Sequence, residues 1–292
     1  MEPILEVKGL RKSFKDFTLQ DISFSLPRGF IMGLIGPNGS GKSTTIKLIM
    51  NLMRKEAGEI RVCGLDTHRH ELAVKQKIGF VYDENHFYDE LTVLEMKKIV
   101  APFYREWDEE AFTYYVHRFQ LPVRKKIKEL SKGNKMKFAL TVALSHHAEL
   151  IIMDEPTAGL DPVMRSELLE VLGELIQDER KGVLFSTHIT TDLDKVADYI
   201  AMINEGRVLF SVAKDTLQET CGLVKGGKSQ LTPEVKDRLI GLREGSFGFE
   251  GLTTNRKQMQ DLLGEQGIIE RPTLEEIMVY LVRGYRDADV GS

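Results

Sequence analysis

The segment Gly36-Pro37-Asn38-Gly39-Ser40-Gly41-Lys42-Ser43-Thr44 has the residue types and spacing needed to hold a polyphosphate. It reads G-x-x-x-x-G-K-S. Glycines lack the Cβ that would block an anion, so successive backbone N–H groups can turn inward around phosphate oxygens. The Lys42 ammonium is expected to reach the β- and γ-phosphates of a nucleoside triphosphate, and the Ser43 hydroxyl to ligate Mg²⁺. A Gly-rich turn alone would account for the glycines but not for the Lys-Ser pair. Further along, the apolar run Leu150–Met153 ends in two acids, Asp154 and Glu155. Adjacent carboxylates repel unless a cation sits beside them. Asp154 is therefore expected to bind Mg²⁺, commonly through water, and Glu155 to polarise an attacking water as general base.

This chemistry requires a strand before the loop and a helix after it. Phe30–Ile35 suits a buried strand. Thr45–Met50 suits a helix that starts near Gly41 and aims its free N–H groups at the same anion. Upstream, residues 4–10 read as a strand. Phe17, Leu19, Ile22, Phe24 and Leu26 mark a second, antiparallel strand, turned by Pro27-Arg28-Gly29 into the strand before the loop. Residues 58–64 read as a turn plus a short strand, and residues 78–82 as another β-rich run. From about Thr92 to His147 helical periodicity dominates, through Val93, Met96, Ile99, Val100, Phe112, Tyr115, Val116 and Phe119, punctuated by Pro102 and Pro122. Residues 150–153 and 183–186 return to buried parallel strands, with a helix over about 162–179 between them. Residues 200–203 and 207–210 flank the turn Asn204-Glu205-Gly206 as a hairpin. A helix over 214–220, short alternating segments and a helix from Leu274 to Val282 complete the chain. Thr273-x-x-Glu276 is a capping box for that last helix. Two domains are expected, 1–210 with a helical subdomain at about 84–147, and a small α+β extension at 211–292.

Leu130-Ser131-Lys132-Gly133-Asn134-Lys135 reads physically as a helix start, with Ser131 as cap and Met136, Ala139, Leu140, Ala143 and Leu144 as the buried stripe. Its position just before Leu150–Glu155 gives it a second meaning. Here the chain resembles the ABC (ATP-binding cassette) ATPases, whose signature reads Leu-Ser-Gly-Gly-Gln. Leu130, Ser131 and Gly133 match, while Lys132 and Asn134 replace a glycine and the glutamine. The resemblance covers about residues 4–210. It implies an α/β fold, a P-loop NTPase cassette with a RecA-like core, an antiparallel β subdomain and a helical insertion. It also implies ATP and Mg²⁺ as cofactors, with the loop Gly36, Pro37, Asn38, Gly39, Ser40, Gly41, Lys42, Ser43 and Thr44 on the nucleotide. Two cassettes, identical or different, would close around two nucleotides. Ser131 and Gly133 would then meet the γ-phosphate held by the partner. Ala158-Gly159-Leu160-Asp161 resembles the D-loop that crosses this dimer interface. Ser186-Thr187-His188 resembles the switch region, whose His188 would contact the γ-phosphate and orient the attacking water. Phe14 sits where the family keeps an aromatic to stack on adenine. Phe17 competes for that role, and either ring could be core.

One position departs from the family pattern. The glutamine that follows the Ile-Gly-Tyr-type strand, and touches Mg²⁺, is replaced by Asp83. A carboxylate can ligate Mg²⁺ but adds charge beside Asp154 and Glu155. Asp83 is expected to act through a bridging water. The resemblance is strongest to ATPases of ABC-2-type exporters, including the YtrB-like group. It implies a separate membrane-spanning subunit docking near Asp83 to Leu91, and a cytoplasmic chain held at the inner face of the membrane. The alternative is a soluble ABC ATPase acting on ribosomes or DNA. Such proteins usually carry two cassettes in one chain or a long coiled coil, and neither pattern is found here.

The bulk numbers agree with this reading. The chain has 292 residues, 42% hydrophobic and 29% charged, a soluble globular composition. A net charge of −4 gives no general attraction to nucleic acid or anionic membrane. The two cysteines, Cys63 and Cys221, lie far apart and fit a reducing compartment. The first residues lack the layout of a signal peptide, and no apolar run reaches the ~18–20 residues of a membrane helix. The cluster Arg124, Lys125, Lys126, Lys128, Lys132, Lys135 and Lys137 lacks interleaved aromatic residues for stacking bases. It is expected to be a solvated face, with no nucleic-acid partner.

Overall fold

Alternation of apolar and polar residues builds the first sheet. In β1 (Leu5–Ser13) and β2 (Thr18–Leu26), Leu5, Val7, Leu10, Leu19, Ile22, Phe24 and Leu26 turn inward while their neighbours face solvent. The computed structural model describes residues 2–82, 87–264 and 267–290. The chain divides into two compact units, Met1–His188 with Tyr199–Ser211, and Ile189–Asp198 with Val212–Ser292.

In the first unit, β3 (Ile31–Ile35) is followed by α1 (Lys42–Ile49), β4 (Ala57–Val62), β5 (Leu65–Asp66), α2 (Glu71–Lys77) and β6 (Ile78–Val81). Three helices come next: α3 (Val93–Val100), α4 (Glu109–Arg118) and α5 (Lys132–Leu144). Then come β7 (Leu150–Asp154), α6 (Pro162–Leu175), β8 (Gly182–Thr187), α7 (Thr190–Val196), β9 (Tyr199–Asn204) and β10 (Arg207–Ala213). Of these, α7 is assigned to the second unit. One sheet has the order β2-β1-β4-β5, with β1 antiparallel to both neighbours. The other has the order β10-β9-β3-β8-β7-β6, and β9-β3-β8-β7-β6 are all parallel. β3, β7 and β8 are buried along their whole length, as strands covered on both faces must be. A single apolar cluster joins the sheets, with Leu5, Ile22 and Ile60 from the first and Leu34, Ile152 and Leu184 from the second. Full burial of each such side chain contributes roughly 1.5–3 kcal/mol.

The helical stretch is capped where the sequence supplies caps. Thr92 and Glu95 form a capping box on α3, Asp108 caps α4 and Ser131 caps α5. The burial on α5 exceeds one stripe. Phe138, Thr141 and Val142 are buried along with Met136, Leu140, Ala143 and Leu144. The basic cluster is ion-paired in part: Lys126 and Lys128 with Glu90, Lys137 with Glu167. Among the described residues, no helix is long and apolar enough to cross a membrane.

The second unit adds α8 (Lys214–Thr220), β11 (Gly222–Gly227), α9 (Pro233–Lys236), β12 (Ile240–Glu244), β13 (Gly248–Thr253), α10 (Arg256–Leu263), β14 (Ile268–Glu270) and α11 (Leu274–Val290). From β11 to β14 the order of elements is βαββαβ. The strands pair antiparallel in the order β12-β13-β11-β14. That is the order 2-3-1-4, the pairing of a ferredoxin-like unit. Val224, Val235, Phe249 and Met259 form its core. α11 packs on β12, where Gly241 and Gly284 permit close approach. The Thr273–Glu276 capping box is present, and α11 runs to Val290, past the expected Val282.

Candidate functional site

The β3–α1 loop has a backbone that side chains would destroy. Gly36 has φ +151°, and a Cβ there would lie 2.0 Å from the Ile203 carbonyl oxygen. Gly41 has φ +113°, and its Cβ would lie 2.5 Å from Leu19 Cδ2. Both positions therefore demand glycine. The loop is pinned from the β9–β10 turn, where the Gly206 N–H donates to the Ser40 carbonyl at 3.0 Å. Lys42 is 95% buried by its surroundings yet keeps its charge satisfied, donating to the Gly36 carbonyl at 2.9 Å and the Pro37 carbonyl at 3.3 Å. Its ammonium also lies 3.5 Å from Glu155 Oε1.

Sheet register brings the other polar groups to this loop. β7 and β8 pair so that Asp154 stands opposite Ser186. Ser186 Oγ donates to Asp154 Oδ1 at 2.5 Å, and Ser43 Oγ donates to the same oxygen at 3.1 Å. Asp154 is buried, so these hydroxyls replace the water its charge would otherwise keep. Glu155 follows with φ +49°, a left-handed conformation rare for a residue with a side chain, which costs roughly 1–3 kcal/mol. Its N–H donates to the Ser186 carbonyl at 3.0 Å and to Ser186 Oγ at 3.2 Å, which holds the turn. The turn aims the carboxylate at His188. The His188 backbone N–H donates to Glu155 Oε2 at 3.3 Å, and Nδ1 lies 2.8 Å from the same oxygen.

The loop, Glu155 and His188 line one cleft of about 380 Å³, together with Phe17 and Ala158. Asp154 lies outside this lining and meets it through the bond from Ser43. Phe17 lines the cleft, against Gly41. The Phe14 ring stands 6.3 Å from Phe17 and is 38% exposed. Ser131, Gly133 and Asp161 lie outside the lining. Ser131 accepts from the Asn134 N–H, Gly133 is buried against Met164, and Asp161 caps α6 through the Val163 and Met164 N–H groups. Asp83 lies outside the described residues. Ser186 was missed as a site residue. The available signal was its place at the end of a strand beside the acid-bearing one.

A second concavity, about 800 Å³ and apolar, lies within the first unit. Phe80, Tyr82, Phe87, Met96, Tyr104 and Met136 contribute to its walls.

A parallel sheet, a glycine loop at a helix start and an acid-ended strand one position beyond β8 in the same sheet define the class as a P-loop nucleoside triphosphatase. Comparison with known proteins narrows this. Residues 19–158 match the family model described as ABC transporter. The linearmycin resistance ATP-binding protein LnrL of Bacillus subtilis is 33% identical over 230 residues, 76% of this chain and 72% of the relative. The ABC transporter ATP-binding protein YtrB of Bacillus subtilis is 29% identical over 217 residues, 74% of each chain. A solved ATP-binding subunit of an ABC transporter is 30% identical, with a TM-score of 0.68, covering 74% of this chain and 92% of that one. The chain belongs to the ATP-binding subunits of ABC transporters, ATPases that power transport.

Proposed function

We propose that this chain binds Mg²⁺·ATP in the 36–44 cleft and drives export of a substrate through a separate membrane-spanning subunit. The observation that carries the reading is one cleft lined by Lys42, Ser43, Glu155 and His188, with Asp154 bonded to Ser43 and each held by named partners. Phosphates bind the loop N–H groups and the start of α1, and Lys42 turns from its carbonyl acceptors to the β- and γ-oxygens. Ser43 Oγ and Asp154 Oδ1, 3.1 Å apart, form a pair of hard oxygen donors that suits Mg²⁺. Mg²⁺ when bound neutralises charge developing on the phosphates. Glu155 accepts a proton from the attacking water, and His188, on the carboxylate's far oxygen, orients it at the γ-phosphate. The exposed face of Phe14 stacks on the adenine with Phe17 as its backing.

Two copies, or this chain and a different cassette, close with Ser131, Gly133 and Asp161 at the shared nucleotides. The apolar groove beside Tyr82 and Phe87 receives the membrane subunit, which holds the chain at the inner face of the membrane. Asp83, which follows Tyr82 in sequence, is expected to act on the metal through water. Export is supported by the resistance role in the name of LnrL. The division at about residue 210 separates the cassette from a small accessory domain. Replacing Glu155 by Gln tests the reading. ATP affinity is retained and turnover falls roughly 10²–10⁴-fold. Near-normal turnover removes Glu155 as the base.

A further inference from the structure

The helix α7 lies between β8 and β9, two parallel strands that flank β3 in one sheet. Such a crossover helix ordinarily packs on its own sheet. Here it is assigned to the other unit: the chain passes into the second unit after His188 and returns at Tyr199. Its partners there are specific. α7 packs on α11, whose inner face carries the buried Leu274, Ile277 and Tyr280. The C-terminal end of α7 is closed by Lys214, the first residue of α8. Its ammonium donates to the Asp194 carbonyl at 2.9 Å and its N–H to the Asp198 carbonyl at 2.8 Å. The first bond satisfies a carbonyl that the helix end leaves open, with a cation at the negative pole of the dipole, and the second holds the chain just past it. Leu193, in the middle of α7, is fully buried. At the other end, only Ile189 separates α7 from His188, whose N–H and Nδ1 both meet Glu155.

We propose that α7 couples the nucleotide site to the C-terminal unit: the state of His188 is carried through one residue into a helix that α8 and α11 hold, so that γ-phosphate contact orders α11. The inference rests on the reading of His188 as the γ-phosphate contact. His188 meets Glu155 through both its backbone N–H and Nδ1. A γ-phosphate offers a competing acceptor. Moving the His188 backbone to reach it displaces the start of α7, which follows after the single residue Ile189. Linkage is reciprocal, so a loosened α11 in turn weakens the hold of His188 on the phosphate. The C-terminal unit is thereby a reporter and regulator of the loaded state, not a passive appendage.

Hydrogen exchange on the full chain tests this, with and without a non-hydrolysable ATP analogue and Mg²⁺. The peptide covering α1 reports occupancy of the loop, and the peptide covering α11 reports coupling. In the wild type both slow, α11 by about 5- to 150-fold. In His188→Ala, α1 still slows and α11 does not. In Ser131→Arg, which blocks pairing of cassettes, α11 still slows, because the path lies within one chain. Unchanged α11 exchange beside a slowed α1 overturns the coupling, as does equal slowing of α11 in His188→Ala. Loss of the α11 response in Ser131→Arg assigns the effect to dimer closure and also overturns it. If α1 fails to slow in the wild type, the reading of the cleft itself is wrong and the coupling falls with it.

Discussion

Ser186→Ala tests how the site is held together. The hydroxyl donates to Asp154 Oδ1 at 2.5 Å and accepts from the Glu155 N–H at 3.2 Å. Both Ser186 and Asp154 are buried, so water does not replace it. A hydrogen bond to a charged group contributes about 1.5–3 kcal/mol, and the void left by one oxygen is small. The Glu155 N–H keeps its 3.0 Å bond to the Ser186 carbonyl, so the strand pairing survives. Among the described residues, the Asp154 side chain then keeps the bond from Ser43 at 3.1 Å. The melting midpoint should fall by roughly 3–12 °C, on the scale of 2–4 °C per kcal/mol for a domain of this size. Asp154 also loses its orientation, so half-maximal ATPase activity should require more Mg²⁺. A calorimetric melt and an ATPase assay across a Mg²⁺ titration measure the two effects. A variant with an unchanged melt and an unchanged Mg²⁺ requirement would show that the Ser186–Asp154 bond does not organise the site.

Two further outcomes are expected. Ser131→Arg should leave ATP bound to single chains but abolish ATP-induced dimerisation in light scattering, whereas Ser131→Ala, which loses only the α5 cap at about 1 kcal/mol, should still dimerise; dimerisation of the Arg variant would leave residues 130–135 as a helix start alone. Glu149 accepts from Arg28 at 2.8 Å, from Lys77 and from Cys63 Sγ at 3.5 Å, tying four segments of the first unit. Burial raises its pKa, but the hydrogen bonds from Lys77 and Arg28 outweigh burial and hold it below the ordinary 4.5. Its contribution is therefore complete above pH 4.5 and fades as pH falls through the lower folded value. Glu149→Gln should lower the melting temperature at neutral pH, and the gap from wild type should narrow in acid. A gap that does not change with pH would mean the charge is not what stabilises.

How much of this could be read from sequence depended on how locally each feature is determined. The phosphate loop was fully legible, since φ and close approach at Gly36 and Gly41 are imposed over a few residues. So was β7, an apolar run ending in acids. α8 was placed at 214–220, the range observed. α6 stops at Leu175, short of the expected 179, because its last turn opens into the Asp178–Lys181 turn. The helices α2 and α7, seven residues each, were not among the expected elements. The βαββαβ unit was unreadable for a different reason. Glycines at 222, 226, 227, 241, 248 and 251 interrupt its strands, so β propensity is weak and long-range pairing decides. Ser186 was likewise hidden, because its role depends on register across two strands 32 residues apart in sequence. Phe14 and Phe17 were both legible as candidates, yet only the fold reveals that Phe17 lines the cleft.

The central claim is that the cleft holds ATP with Lys42 on its phosphates. Calorimetric titration of Mg²⁺·ATP into the full chain, wild type against Lys42→Ala, tests it most directly. Lys42 already makes two hydrogen bonds to carbonyls at 2.9 and 3.3 Å, and it must exchange these for phosphate oxygens. Loss of a charged hydrogen bond of about 1.5–3 kcal/mol predicts affinity weaker by roughly 10- to 150-fold. Equal ATP affinity in the two proteins would contradict the account.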